Sequence, residues 1–112
     1  MKTSSNKPAV NQLPPAGRIH GALALAFGAE VHGGGYNWRD GQSDYMVVLD
    51  AIERHILCLI DGEDCAPDSG VHHLGHIVAN ASILLDAFEN GTLIDNRPTK
   101  GSAAQILEEK SK

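Results

Sequence analysis

Between Tyr45 and Asp61 the apolar residues Val48, Leu49, Ile52, Ile56, Leu59 and Ile60 return at the spacing of one helix face. That run most constrains the fold, because a 3.6-residue period cannot serve as a strand with one buried side. Ser43 is a candidate N-cap, Asp44 suits a first turn, and Gly62 ends the element. A second run, Leu74, Ile77, Val78, Ala81, Leu84, Leu85 and Phe88, has the same period. Ser69 is its candidate cap, Asp68 stands beside its start, and Asn90-Gly91 stops it. Ile19–His32 is rich in Ala and Leu and halts at Gly33-Gly34-Gly35, which a helix crosses only at a cost.

Three amphipathic helices with short links predict an all-α fold, a small antiparallel helix bundle. A polar arm over residues 1–15, ending in Pro14-Pro15, and a polar tail over 96–112 flank a helical unit at 16–95. Ala103–Lys110 permits a last helical turn or two, and Thr92–Ile94 is the one short stretch with strand character. Aromatic residues make up 4 % of the chain, so a core must come from Ala, Leu, Ile and Val. Such a core is thin, and a homo-oligomer is expected to complete it.

The net charge is −5 and no basic run exceeds a pair, which argues against a nucleic-acid polymer as partner. No apolar run approaches the ~18 residues of a membrane span. Met1–Pro8 lacks the apolar core of a secretion signal. The expectation is a cytoplasmic protein with Cys58 and Cys65 reduced, Cys58 filling the core.

The stretch GEDCAPDSGVHHLGHIVAN, residues 62–80, gathers acids and three histidines. At ~100° per residue, His73, His76 and Asn80 share a stripe beside the apolar one of Leu74, Ile77, Ala81, Leu84 and Phe88, which is read as buried. His55 lies at the edge of the preceding apolar stripe, and Glu63 and Asp64 sit in the connecting loop. His55, Glu63, Asp64, His73 and His76 are therefore expected to converge on one divalent ion. Imidazole with carboxylate suits Mn²⁺, Zn²⁺, Co²⁺ or Ni²⁺ better than Mg²⁺. The plainer alternative is a capped helix, solvated acids and histidines satisfied by hydrogen bonds.

A second polar cluster is GGGYNWRDG, residues 33–41. Trp38 and Tyr36 suit stacking on a base, and Asn37 and Arg39 suit its edge or a phosphate. Trp38 equally suits an anchor that closes the loop. Glu30 and His32 end the first helix near this loop. Arg97 and Lys100 form a basic segment that either folds over phosphates or stays solvated.

FGAEVHGGGYNWRDG, ERHILCLIDGEDCAPDSGVHHLGHIVAN and ILLDAFENGTLIDNRPTK follow one another in the order of a known set of blocks. Across Leu13–Lys100 the chain resembles the phage and bacterial family of dATP/dGTP diphosphohydrolase N-terminal domains. The resemblance implies hydrolysis of a purine deoxynucleoside triphosphate to monophosphate and pyrophosphate, a role related to that of MazG-like all-α enzymes. By position the family motif falls on Arg54 and His55, on Glu63 and Asp64, on the turn Asp68-Ser69-Gly70, and on His73, His76 and Asn80. Its aromatic loop falls on Asn37, Trp38 and Arg39. Val31-His32 replaces the usual Lys-Tyr, and HxxH stands where MazG-like enzymes carry ExxD. The resulting expectation is a metal-dependent hydrolase, with Mn²⁺ or Mg²⁺ foremost and Zn²⁺, Co²⁺ or Ni²⁺ as further candidates. Arg54, Glu63, Asp64 and Asn80 serve the chemistry, and Asn37, Trp38, Arg39 and Arg97 hold the substrate. A non-catalytic nucleotide- or metal-binding phage accessory protein and a structural oligomerisation module are the alternatives.

Overall fold

The computed structural model describes residues 6–111, and the fold is mostly helical. Helix α1 spans Pro15–His32, α2 Asn37–Asp40, α3 Tyr45–Ile60, α4 His73–Asn90 and α5 Ala103–Lys110. Two strands of two residues, β1 at Ser43–Asp44 and β2 at Leu93–Ile94, pair in parallel. The start of the arm expected over 1–15 lies outside the described residues, and Val10–Gln12 forms a 3-10 turn. Among the described residues no helix is long and apolar enough to cross a membrane.

The helix ends follow local chemistry, and two caps differ from expectation. Helix α1 starts at Pro15, ahead of its apolar pattern, because proline's fixed φ and missing N–H suit a first helical position. It stops at Gly33, whose φ of 97° is left-handed and whose N–H reaches the Ala29 carbonyl at 3.1 Å. The cap of α3 is Asp44, not Ser43: its Oδ1 accepts the Val47 N–H at 3.1 Å. Ser43 instead enters the strand pair opposite Leu93. Asn96 reinforces that end by accepting the Met46 N–H at 3.0 Å and donating to Asp44 Oδ1 at 2.7 Å. The cap of α4 is His72, not Ser69, with Nδ1 accepting the Leu74 N–H at 3.0 Å. The chain first makes a tight turn, closed by Gly70 N–H to Ala66 O at 2.8 Å and Ala66 N–H to Val71 O at 2.9 Å.

Helix α4 packs against both α1 and α3. The α1 crossing is close: a Cβ on Gly75 would lie 2.7 Å from the His20 carbonyl oxygen. Ala24, Ala79 and Val71 form the core of this contact, with Leu25 packed on it. The buried face of α4 is correspondingly small, made of His73, Gly75, Ala79, Leu84 and Ala87. This corrects the expected buried stripe, because Leu74 is 54 % and Phe88 63 % exposed. Close neighbours on two sides select small residues, and the larger ones turn outward. Helix α3 has no buried residue at all, although most of its side chains are apolar.

Candidate functional site

A cavity of about 340 Å³ opens between α1, α2, α3 and α4. Helix α1 contributes Phe27 and His32 to its lining, and α2 contributes Asn37 and Trp38. His55 comes from α3, Asp68 from the turn before α4, and His76 and Asn80 from α4 itself. The volume is in the range of small-ligand sites. Of the residues read from sequence, Asn37, Trp38, His55, His76 and Asn80 therefore share one wall-to-wall space. Among the described residues no lysine or arginine lines it.

Behind His55 runs a chain of short contacts. Glu63 Oε1 lies 2.7 Å from His73 Nε2, and His73 Nδ1 lies 2.7 Å from His55 Nδ1. An ionised carboxylate only accepts, so His73 carries its hydrogen on Nε2. In neutral rings His73 Nδ1 then accepts from the Nδ1–H of His55, which leaves Nε2 as the free nitrogen of His55. His73 is 3 % exposed, and its backbone N–H is fixed by the Asp64 carbonyl at 2.8 Å. Asp64 thus enters the site through its backbone.

His76 lies flat on His55, with ring centroids 4.8 Å apart and planes within 3°. Its Nε2 is 2.7 Å from Ser69 Oγ, which also accepts the Val71 N–H at 3.1 Å. The edge of Phe27 packs against it at 6.3 Å. Burial holds the His55 pKa below its ordinary value, and His76 and His73 push it the same way against Asp68. Burial also lowers His76, again opposed by Asp68. Both rings are therefore biased to the neutral form, with lone pairs available to a metal ion.

Among the described residues, Cys58 Sγ, a Glu63 oxygen and a His73 nitrogen form a ligand group with all atoms within 4.8 Å of one another. Cys58 was expected only to fill the core. It follows His55 by one helical turn on α3, and that i, i+3 spacing was the sequence signal.

The arginines are committed elsewhere. Arg39 grips Asp86 of α4 through Nε at 2.7 Å and Nη2 at 2.6 Å, and this hydrogen bonding raises its pKa. Its guanidinium lies 5.0 Å from the Trp38 ring centroid, so it fixes Trp38 in place, and Tyr36 flanks that ring at 5.2 Å. Arg54 pairs with Asp50 one turn back on the exposed side of α3. Arg97 binds Asp95, lies over Tyr45 at 4.2 Å and lines a separate hollow with Lys100. That pairing holds the Asp95 carboxyl down at about 2.

A family model described as dATP/dGTP diphosphohydrolase, N-terminal, matches residues 1–97. No curated protein and no solved structure matches the chain.

Proposed function

The chain belongs to the dATP/dGTP diphosphohydrolase N-terminal family, and we propose that it hydrolyses purine deoxynucleoside triphosphates to monophosphate and pyrophosphate with the help of a divalent cation. The observation that carries the proposal is one cavity in which Trp38 and Asn37 face His55, His76 and Asn80. The purine stacks on Trp38, with its edge bonded to Asn37. Asn80 orients a phosphate or the attacking water. Water adds to phosphorus at the α–β anhydride, the bridging P–O bond breaks, and pyrophosphate leaves.

Electrostatics support the cation. A cavity holding Asp68, with no lysine or arginine lining it among the described residues, would repel a triphosphate. Glu63 and His73 would hold the ion, with His55 and His76 beside them, where it would neutralise phosphate charge and acidify water. Arg39 acts by fixing Trp38. Arg54 and Arg97 are held by Asp50 and Asp95 outside this cavity, so a phosphate role for either requires their release. Residues 16–95 form the nucleotide- and metal-binding unit of a cytoplasmic enzyme.

The three long helices make a small antiparallel bundle that a second copy completes. The chain exposes 8487 Å², whereas roughly 6,000 Å² is expected of a compact monomer of 11.9 kDa. Part of the excess belongs to α5 and to residues 6–14, which are exposed. The rest includes exposed apolar side chains on α4, Leu74, Leu85 and Phe88, and on α3, Ile56 and Ile60. Half of that excess, roughly 1,250 Å² per chain, would give a total of about 2,500 Å², within the range of obligate homodimer interfaces.

The test is product analysis with purified protein, Mn²⁺ and each of the four deoxynucleoside triphosphates. Monophosphate and pyrophosphate in equal amounts from dATP or dGTP, with slower turnover of the pyrimidines, is the expected result. Orthophosphate as product, or no turnover, overturns the proposal. Saturable binding without turnover would favour the nucleotide-binding accessory protein.

A further inference from the structure

We infer that Cys58 is a metal ligand, and that with Glu63 and His73 it makes a thiolate-containing site which selects Zn²⁺ or Co²⁺ over Mg²⁺. The inference rests on the metal dependence proposed above and adds the donor that sets the class of metal. Three donors of different elements, Cys58 Sγ, Glu63 O and His73 N, lie within 4.8 Å of one another. They come from α3, from the loop after it and from the first turn of α4, so the fold itself assembles them. Atoms sharing one tetrahedral ion through bonds of about 2.0–2.3 Å lie roughly 3.3–3.8 Å apart, so the three donors shift on loading. Thiolate is a soft donor that Mg²⁺ does not favour, while sulfur, nitrogen and oxygen together are ordinary for zinc.

The surroundings fit a ligand role for His73. Its ring is buried, and the nitrogen away from Glu63 meets His55 Nδ1 at 2.7 Å, the kind of outer partner that fixes a ligating imidazole. The 2.7 Å contact between His73 Nε2 and Glu63 Oε1 is too short for two ligands of one ion, so loading widens it. With Nε2 on a cation, the His73 hydrogen moves to Nδ1 and points at His55 Nδ1. His55 then offers an Nε2–H to the cavity in place of a lone pair, which suits an anionic phosphate. His73 and His55 thus link the metal to the cavity wall, and of the two cysteines Cys58 is half-buried while Cys65 is exposed.

Cobalt(II) substitution tests this on the full chain. Co²⁺ added to chelator-treated protein is expected to give an intense near-ultraviolet thiolate-to-cobalt band together with weaker visible bands. Cys58→Ser removes the intense band and keeps visible ones, and Cys65→Ser keeps both. Zn²⁺, unlike Mg²⁺, protects Cys58 of the unmodified protein from alkylation, a readout that needs no variant to fold. Visible bands without the thiolate band, a band that survives Cys58→Ser, or alkylation unaffected by Zn²⁺ overturns the role of Cys58 while metal dependence stands. If no cobalt binds at all, both readings fail.

Discussion

Replacing Gly75 by Ala should destabilise the fold although it improves helix propensity. Ala gains about 1 kcal/mol over Gly inside a helix. At Gly75, however, the new Cβ would sit 2.7 Å from the His20 carbonyl oxygen and 3.0 Å from its carbon. These are backbone atoms of α1, which cannot rotate away, so α1 and α4 must separate along a contact that includes Ala24 and Ala79. Overpacking of this kind costs about 1–3 kcal/mol. With rigid backbone partners the cost lies at the upper end, about 2–3 kcal/mol, so the net loss is about 1–2 kcal/mol, a fall in Tm of roughly 5–15 °C for a domain of this size. Gly21→Ala is the comparison, since its Cβ would meet the Val78 side chain at 2.8 Å rather than backbone. Val78 is stiff in its helix, so this variant should also lose stability, but less than Gly75→Ala. Thermal unfolding followed by far-ultraviolet circular dichroism reads both variants. A Gly75→Ala protein as stable as the parent would refute the close crossing. Because α1 carries Phe27 and His32 into the cavity, the same variant should also bind nucleotide more weakly.

Acid should destabilise the metal-free protein. His55 and His76 have folded-state pKa values below the ordinary one. The unfolded chain then binds more protons, and stability is complete above about pH 6.5 and lost as pH falls through and below it. Melting curves of chelator-treated protein between about pH 8 and 5 should show this, and the His55→Gln, His76→Gln double variant should flatten the profile. Asp44→Ala removes both the cap on Val47 and the partner of Asn96, so urea titration should show a loss of about 1–2 kcal/mol. A loss below about 0.3 kcal/mol would mean that the cap is idle. Trp38 fluorescence should be quenched saturably by dGTP or dATP and less by dTTP, and unchanged emission would leave Trp38 as a loop anchor alone.

Helix positions were legible because their signals are long and repetitive. The 3.6-residue period over Tyr45–Asp61 fixes α3 without any tertiary information, and glycines at 33, 62 and 91 take positive φ where elements end. Caps were less legible, since Ser43 and Asp44 both suit the position and only pairing with Leu93 decides between them. The strand pair is too short to carry a period. The site was legible in composition more than in geometry. His73 and His76 are three residues apart, hence about 60° apart around the helix. That angle turns His73 toward Glu63 and α3, and His76 toward Ser69 and the cavity. The bias of α4 toward small buried residues was hidden because it follows from having neighbours on two sides. The engagement of Arg39 by Asp86 spans two elements far apart in sequence, and nothing local announces it. The grouping of Cys58 with Glu63 and His73 was masked by the apolar neighbours of Cys58.

The central claim is that purine deoxynucleoside triphosphates react in the cavity walled by His55, His76 and Trp38. Single-turnover hydrolysis of dGTP by the parent and by His55→Gln and His76→Gln, at saturating Mn²⁺ and substrate, tests it most directly. Each variant should stay helical and lose at least about 100-fold in rate, as groups at the reacting centre do. Rates equal to the parent in both folded variants would contradict the account, and the reaction would have to be sought elsewhere on the chain.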